Sequence, residues 1–183
     1  MYDDDTAKTN ERVAATDQTA AVGPELLGGL LDRHAAAMEL YARQWCRTPE
    51  DVVQQAFVQL ARQTTVPDNI VTWLYRVVRN GAISAGRAEA RRQRYETAAA
   101  KMAASWFVPT EPPGLDGAAV TAAVETLSAD EREVIVAHLW SGLTFQEIAE
   151  IAGVSSSTAH RRYEQGLRIL RSKLTKPEQD HVI

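Results

Sequence analysis

The chain has only one cysteine, Cys46, among its 183 residues, so an internal disulfide is impossible. That scarcity fits a reducing compartment. No apolar run approaches the roughly 20 residues that a membrane-spanning helix needs. Residues 1–6 have neither the basic start nor the apolar stretch of a secretory signal. We therefore expect a cytoplasmic protein without membrane insertion.

Patterns for metal binding or catalysis are also lacking. The four histidines are scattered, and none stands in a CxxC or HExxH arrangement, so we expect no metal site. No phosphate-binding loop and no nucleophile–base constellation is visible. The sequence thus predicts no catalytic residues, no cofactor and no enzymatic activity.

An overall basic excess is missing as well, because the formal net charge is −4. The charges are unevenly distributed: acidic residues dominate 1–30, whereas arginine and lysine dominate 86–101 and 155–176. Salt screens interactions beyond about 8 Å, so a local patch matters more than the total for binding DNA. A basic helix can simply be a solvated face, but two separate basic patches favour nucleic-acid binding.

Apolar residues recur at helical spacing along most of the chain, and no strand pattern competes. Prolines and glycines interrupt this spacing at 98–117. We predict an all-α fold of two small helical domains joined by a flexible linker. The predicted division is a mostly disordered acidic tail (1–28), a first domain (29–97), the linker (98–117), a second domain (118–176) and a C-terminal tail (177–183).

Several helix starts can be predicted from local sequence. The candidate N-caps are Thr48, which precedes Pro49, and Asp68. Two capping boxes are predicted as well, S-x-x-E beginning at Ser128 and T-x-x-E beginning at Thr144.

Residues 143–163 have the pattern of a helix-turn-helix, in which the second helix can enter a DNA major groove. Gly153 stands where the first helix must end, with a predicted positive φ. Ser155 or Ser156 then caps the second helix. If Ala159 faces the first helix, then Ser157, His160, Arg161 and Glu164 face outward. An ordinary helical hairpin would share part of this pattern.

The decisive resemblance involves both domains. The segments Glu50–Leu60 (EDVVQQAFVQL) and Thr72–Gly81 (TWLYRVVRNG), followed by a basic helix, resemble region 2 of sigma-70-family factors. The segment Val124–Val136 and the helix-turn-helix resemble region 4. With neither region 1.1 nor region 3 visible, the chain resembles an extracytoplasmic-function (ECF) sigma factor over about residues 29–176. The resemblance implies a subunit that directs bacterial core RNA polymerase to promoters and melts them.

The resemblance also implies binding residues. Binding to the β′ and β subunits of core polymerase is expected through residues near 51–60 and 128–141. In the family the first of these segments docks on a coiled coil of β′, and the expected contact residues are Asp51, Gln54, Gln55, Phe57 and Gln59. Contacts to the −10 element are expected from Trp73, Tyr75, Arg76, Arg79, Asn80, Ser84, Arg87, Arg91 and Arg92. Contacts to the −35 element are expected from Ser156, Ser157, Thr158, His160, Arg161, Arg162 and Glu164.

Within these sets the side-chain chemistry suggests different tasks. Asn80 is the best candidate to capture an unstacked base, and Trp73 and Tyr75 could stack on bases, although Trp73 could equally be a core residue. The arginines would hold phosphates, while Arg161 can read guanine. Gln55, Ser84, Ala159 and His160 depart from the family's commoner residues, which leaves the promoter sequence open.

Other hypotheses remain at this point. A dimeric DNA-binding regulator would share the second domain and would need a palindromic operator. An interaction module could bind a partner helix through Val53 and Phe57, but it leaves both basic patches unexplained. Two additions to the sigma-factor hypothesis are sequestration by an anti-sigma factor and weakening of DNA binding by the acidic tail at Asp3–Asp5.

Overall fold

The computed structural model describes residues 22–95 and 117–175, and within these ranges it contains seven α-helices and no β-strand. This confirms the all-α prediction. The first half comprises α1 (Pro24–Ala42), α2 (Pro49–Ala61) and α3 (Ile70–Tyr95), and the second half comprises α4 (Gly117–Glu125), α5 (Ala129–Leu139), α6 (Phe145–Ala152) and α7 (Ser156–Leu174).

The predicted tail (1–28) and the predicted linker (98–117) overlap the described ranges only at their edges. Helix α1 begins at Pro24, inside the segment 1–28 that we predicted as a tail. Residues 1–21, the predicted linker up to residue 116, and residues 176–183 lie outside the described residues. Within the described ranges, no helix is both long and apolar enough to cross a membrane.

Local capping explains where the helices of the second half begin. Both predicted capping boxes are present: the Ser128 and Thr144 hydroxyls each accept the backbone N–H of the glutamate three residues later. In return, those glutamates accept the N-cap backbone N–H groups, at 2.9 Å for Ser128 and 2.8 Å for Thr144. Ser155, not Ser156, caps α7 by accepting the Thr158 N–H at 3.1 Å. Gly153 ends α6 with φ 71°, as predicted.

The starts of α2 and α3 differ in detail from the predictions. Thr48 is the N-cap residue of α2, but its side chain makes no capping hydrogen bond. The predicted cap Asp68 is wrong by one residue, because the Asn69 side chain accepts the Thr72 backbone N–H at 3.0 Å. Asparagine and aspartate are about equally good N-caps, so neighbouring candidates cannot be ranked by residue type alone.

The capping box at Thr144 gives a direct stability prediction. Replacing Thr144 by alanine removes the hydroxyl that accepts the Glu147 N–H, so we expect a loss of about 1 kcal/mol of unfolding free energy. Urea unfolding followed by circular dichroism measures it. Ser156→Ala is the control, because Ser156 is exposed and its side chain does not cap α7; equal losses in the two variants would contradict the capping role.

The two halves are packed together rather than separate. Helix α3 contacts α6, and α1 contacts α5. A single cluster of buried apolar side chains includes Leu60 and Leu74 of the first half together with Val136 and Ile148 of the second half. A smaller cluster, around Val124, Ile135 and Leu170, lies wholly within the second half. The tethered arrangement inferred from sequence did not anticipate this contact between the halves.

Candidate nucleic-acid interface

Helix α3 carries a stripe of polar and aromatic side chains along most of its length. At 100° per residue the stripe spans an arc of about 80°, and from Trp73 to Arg91 it is about 27 Å long. Trp73 and Arg76 at its N-terminal end are half-buried, whereas the rest of the stripe is exposed. The exposed members are Asn80, Ser84, Arg87 and Arg91, all of them predicted −10 residues. Arg92 is also exposed but lies to the side of this stripe.

Tyr75, another predicted −10 residue, points away from the stripe. It lies about 140° from Asn80 around the helix and is fully buried, with its ring packed edge-on against Tyr41 at 5.3 Å between centroids. Burial raises the pKa of Tyr75 to about 12, although the nearby Ser141 hydroxyl acts to lower it. In this arrangement the Tyr75 ring is part of the core and is not available to a base.

Two of the predicted phosphate-binding arginines form salt bridges with acidic residues of the second half. Arg79 forms a bidentate salt bridge with Glu133. The Arg79 Nε atom lies 2.6 Å from Glu133 Oε1, and the Arg79 Nη2 atom lies 3.1 Å from Glu133 Oε2. Arg76 pairs with Glu150. Sequence reasoning missed both acidic partners. The available signal was Glu133 itself, a charged residue directly before the apolar run Val134–Val136.

The polar face of α2 matches most of the predicted polymerase-binding set. Asp51, Gln54, Gln55 and Gln59 are all exposed. Phe57 is only 7% exposed, because it belongs to the apolar stripe that packs into the core. Phe57 therefore supports this face from beneath and does not form part of its surface in this arrangement.

Helix α7 presents most of the predicted −35 residues outward. Ala159 is fully buried, as predicted, and this fixes the rotation of the helix. Gly166 then lies where an added Cβ would be 3.0 Å from the Ile135 side chain, so α7 and α5 approach closely. Among the predicted −35 residues, those with exposed side chains are Ser156, Ser157, His160, Arg161 and Glu164.

Two other predicted −35 residues have partners within the second half. The Thr158 hydroxyl lies 2.8 Å from the Ser155 hydroxyl, so it belongs to the cap of α7. Arg162 pairs with Asp130 at the start of α5. By contrast, Arg161 is exposed, and no hydrogen bond or ion pair joins it to another residue of the described ranges.

A group of stacked rings supports the exposed face of α7. His138 stacks on Phe145 with 4.5 Å between ring centroids, and Phe145 meets His160 edge-on at 4.9 Å. Tyr163 packs edge-on against His138 at 4.8 Å. His138 Nδ1 also lies 2.8 Å from the Leu143 carbonyl oxygen. These contacts tie α5, α6 and α7 together and position His160. No three potential metal-ligating side chains converge anywhere in the described part of the chain.

The Glu147 carboxylate caps the start of α6 and also bonds to residues of the first half. Its Oε2 accepts the Thr144 N–H and hydroxyl, while its Oε1 accepts the Asn69 side-chain amide at 2.9 Å and lies 3.4 Å from the Thr72 hydroxyl. Burial acts to raise the pKa of Glu147, but these hydrogen bonds to the carboxylate outweigh it and lower the pKa. Glu147 is therefore an ionised acceptor at neutral pH.

The chain is similar in sequence and fold to known sigma factors. The family model "Sigma-70, region 4" matches residues 117–170, which include α4–α6 and most of α7. The ECF RNA polymerase sigma factor SigL of Mycobacterium tuberculosis is 27% identical over 174 residues, covering 88% of this chain and 96% of that protein.

Two solved structures share the fold. One is the sigma factor RpoE in complex with the anti-sigma factor NepR from Bartonella quintana, with a TM-score of 0.67, 22% identity, and coverage of 82% of this chain and 96% of that one. The other is CnrH in complex with the cytosolic domain of CnrY, with a TM-score of 0.55, 23% identity, and coverage of 85% and 91%. The region 4 match and the similarity to SigL support an ECF factor of the sigma-70 family, and the solved structures show a shared fold.

Proposed function

We propose that the chain binds core RNA polymerase, recognises −35 and −10 promoter elements, and melts the −10 region. The observation that carries this proposal is the presence of two unlike polar faces, on α3 and on α7, in one chain. The stripe on α3 combines an amide, a hydroxyl and arginines, whereas α7 offers the outward face of a helix-turn-helix. A protein that only docks on duplex DNA has no need of the first face.

The two faces would act by different chemistry. On α7, Arg161 would donate two hydrogen bonds to a guanine edge, and Ser157 and His160 would reach neighbouring bases or phosphates. On α3, Asn80 would hydrogen-bond an unstacked base, while Arg87 and Arg91 would hold the backbone of the separated strand. Trp73 packs in part against the core cluster at the end of the same stripe, and its exposed part would stack on a base.

The exposed polar face of α2 is the proposed site for core polymerase. Asp51, Gln54, Gln55 and Gln59 offer one carboxylate and three amides for hydrogen bonds, and this polar composition suits a subunit that must dissociate. We assign no catalytic step to the chain itself, because in this proposal the polymerase performs the chemistry.

Transcription with purified components tests the proposal. Bacterial core polymerase would transcribe a genomic fragment library with and without the chain, and transcript starts would be mapped. We expect discrete new starts that share motifs at −35 and −10. If no starts appear and the chain fails to associate with core polymerase, yet binds a palindromic DNA site, the dimeric regulator is the correct function.

We also propose an anti-sigma partner. Both structural neighbours are complexes with another protein, and one of those partners is named as an anti-sigma factor. A pull-down from the host with the full-length chain should recover a small protein that blocks transcription when added back. Recovery of no such protein would contradict this part of the proposal.

A further inference from the structure

A groove runs along one face of α7, beside the residues that we propose contact the −35 element. Its volume is about 490 Å³, within the range of about 300–1,000 Å³ that is usual for binding pockets. One wall is formed by His138 and Phe145, at the end of α5 and the start of α6. The other wall is α7, whose lining side chains recur every three or four residues and therefore share one side of the helix. These are His160, Tyr163, Glu164, Leu167, Arg168 and Arg171.

The groove changes from aromatic to basic along its length. At one end, the Phe145 and Tyr163 rings lie 5.3 Å apart between centroids. Toward the end of α7, the exposed side chains of Arg168 and Arg171 follow. Leu174 lies beyond them on the same face, and this apolar side chain is 43% exposed. A ligand that fits this groove therefore needs acidic groups near the end of α7 and an apolar group near the rings.

The C-terminal tail (177–183) has these groups in the order that suits a chain turning back along α7. Glu178 and Asp180 come first, and Val182 follows. In an extended chain alternate residues point to the same side, so these three side chains can face α7 together. The distance from Glu178 to Val182 in an extended chain is about 13 Å. The distance along α7 from Arg171 back to Tyr163 is about 12 Å, so the two sets of groups match in length.

The chain can turn back directly after α7. The helix ends at Leu174, with Thr175 as its C-cap residue. Pro177 follows two residues later, and proline cannot continue a helix. The segment 176–183 can span at most about 26–29 Å, whereas the length of α7 from Thr175 back to His160 is about 22 Å. The tail is therefore long enough to reach the rings.

We propose that the C-terminal tail folds back along α7 and binds in this groove. Its two carboxylates pair with the two arginines, Glu178 with Arg171 and Asp180 with Arg168, while Val182 packs against the rings. Guanidinium groups donate charge-assisted hydrogen bonds to carboxylates, which makes this register specific. Exposed ion pairs are individually weak, but the short connection to α7 keeps the tail at a high effective concentration, so we expect docked and undocked chains at about ten to one.

A docked tail changes DNA binding by α7. His160 and Glu164 line the groove and also belong to the exposed residues proposed for −35 recognition. The tail also neutralises Arg168 and Arg171, two guanidinium groups that can otherwise bind phosphates. The tail and DNA therefore compete for the same side of α7. This consequence rests on the proposed function, whereas the docking itself does not.

Disulfide trapping in the full-length chain tests the docking. Val182→Cys would be combined with Cys46→Ala and with a second cysteine on α7, either Glu164→Cys or Gln165→Cys. Glu164 lines the groove, whereas Gln165 points about 100° away around the helix. Both are exposed and adjacent in sequence, so an undocked tail would reach them equally. We expect intrachain pairing to be about tenfold faster with Glu164→Cys than with Gln165→Cys.

A charge exchange tests the proposed pairing itself. Glu178→Lys combined with Asp180→Lys should abolish the preference for Glu164→Cys, because like charges then face each other. Adding Arg168→Glu and Arg171→Glu should restore the preference. The preference of the original pairing should also weaken at high salt, which screens exposed charges. Circular dichroism checks that each variant folds.

Affinity for a labelled random-sequence duplex at low salt measures the consequence for DNA. Glu178→Gln combined with Asp180→Asn should bind DNA about tenfold more tightly, because docking at about ten to one leaves only about a tenth of the chains competent. Glu25→Gln combined with Asp32→Asn is the matched control, since both residues are exposed on α1 and the same charge is lost. The control should bind DNA nearly as the unmodified chain does.

The possible outcomes separate the docking from its consequence. Equal pairing rates at the two α7 positions would overturn the docking. Faster trapping by Asp4→Cys than by Val182→Cys would assign the groove to the acidic N-terminal segment, and disulfides between chains would assign it to a second copy. Docking without tighter DNA binding in the neutralised tail variant would overturn the competition with DNA. Failure of run-off transcription, with preferential trapping present, would instead contradict the sigma-factor function alone.

Discussion

Replacing Gly86 by alanine is expected to destabilise the first half by at least about 3 kcal/mol, or to prevent its folding. An added Cβ at this position would lie 2.0 Å from the Trp45 carbonyl oxygen. That obstacle is backbone within the α1–α2 connection, so it cannot move aside as a flexible side chain can. Relief of the clash would require α3 to shift from the core that it forms with α1 and α2. Urea unfolding followed by far-ultraviolet circular dichroism measures the loss.

Gly28→Ala is the matched control for this prediction. Gly28 lies inside helix α1, is exposed, and has no atom within 4 Å of an added Cβ. Alanine there should stabilise the chain by about 0.5–1 kcal/mol, because glycine inside a helix costs that much relative to alanine. If Gly86→Ala unfolded at the same urea concentration as Gly28→Ala, the close approach of α3 to Trp45 would be incorrect.

Arg161→Ala is expected to abolish base discrimination at one position of the −35 element. Arg161 is exposed on α7, and within the described ranges no acidic side chain holds its guanidinium. A bidentate contact to guanine is worth about 1–3 kcal/mol, or about 5- to 150-fold between the right and wrong base. Run-off transcription with core polymerase on a mapped promoter and its single-base −35 variants would measure the ratio. The variant should transcribe these templates nearly equally at the affected position.

Arg168→Ala separates base reading from simple loss of charge. Arg168 lies two helical turns beyond Arg161 on nearly the same face, and its guanidinium bonds the Gln165 side chain at 2.6 Å. A phosphate contact there would carry no sequence information, so Arg168→Ala should weaken all templates by a similar factor. A uniform loss in Arg161→Ala as well would show that Arg161 does not read a base.

Features set by neighbouring residues were predictable from the sequence. The capping boxes at Ser128 and Thr144 and the positive φ of Gly153 depend on residues at most three positions apart, and all three are present. The rotation of α7 followed from the small residue Ala159. The misplaced cap at Asp68 shows the limit of this reasoning, since two adjacent residues were both suitable and the structure uses Asn69.

Features set by the packing of distant segments were not predictable in the same way. Tyr75 was grouped with the −10 residues by its aromatic character, but its angular position directs it into the core. Phe57 was grouped with the polymerase-binding residues, although its own apolar stripe buries it. The bond between Tyr41 and Glu133 joins residues 92 positions apart, and no local pattern specifies that pairing.

Permanganate reactivity of unpaired thymines on a promoter from the mapped library tests the central claim most directly. The chain alone, core polymerase alone and the two together would be compared on the same fragment. We predict reactive thymines in the −10 region only when both proteins are present. Absence of reactivity with both, combined with protection of two symmetric half-sites by the chain alone, would contradict promoter melting and identify the chain as a duplex-binding regulator.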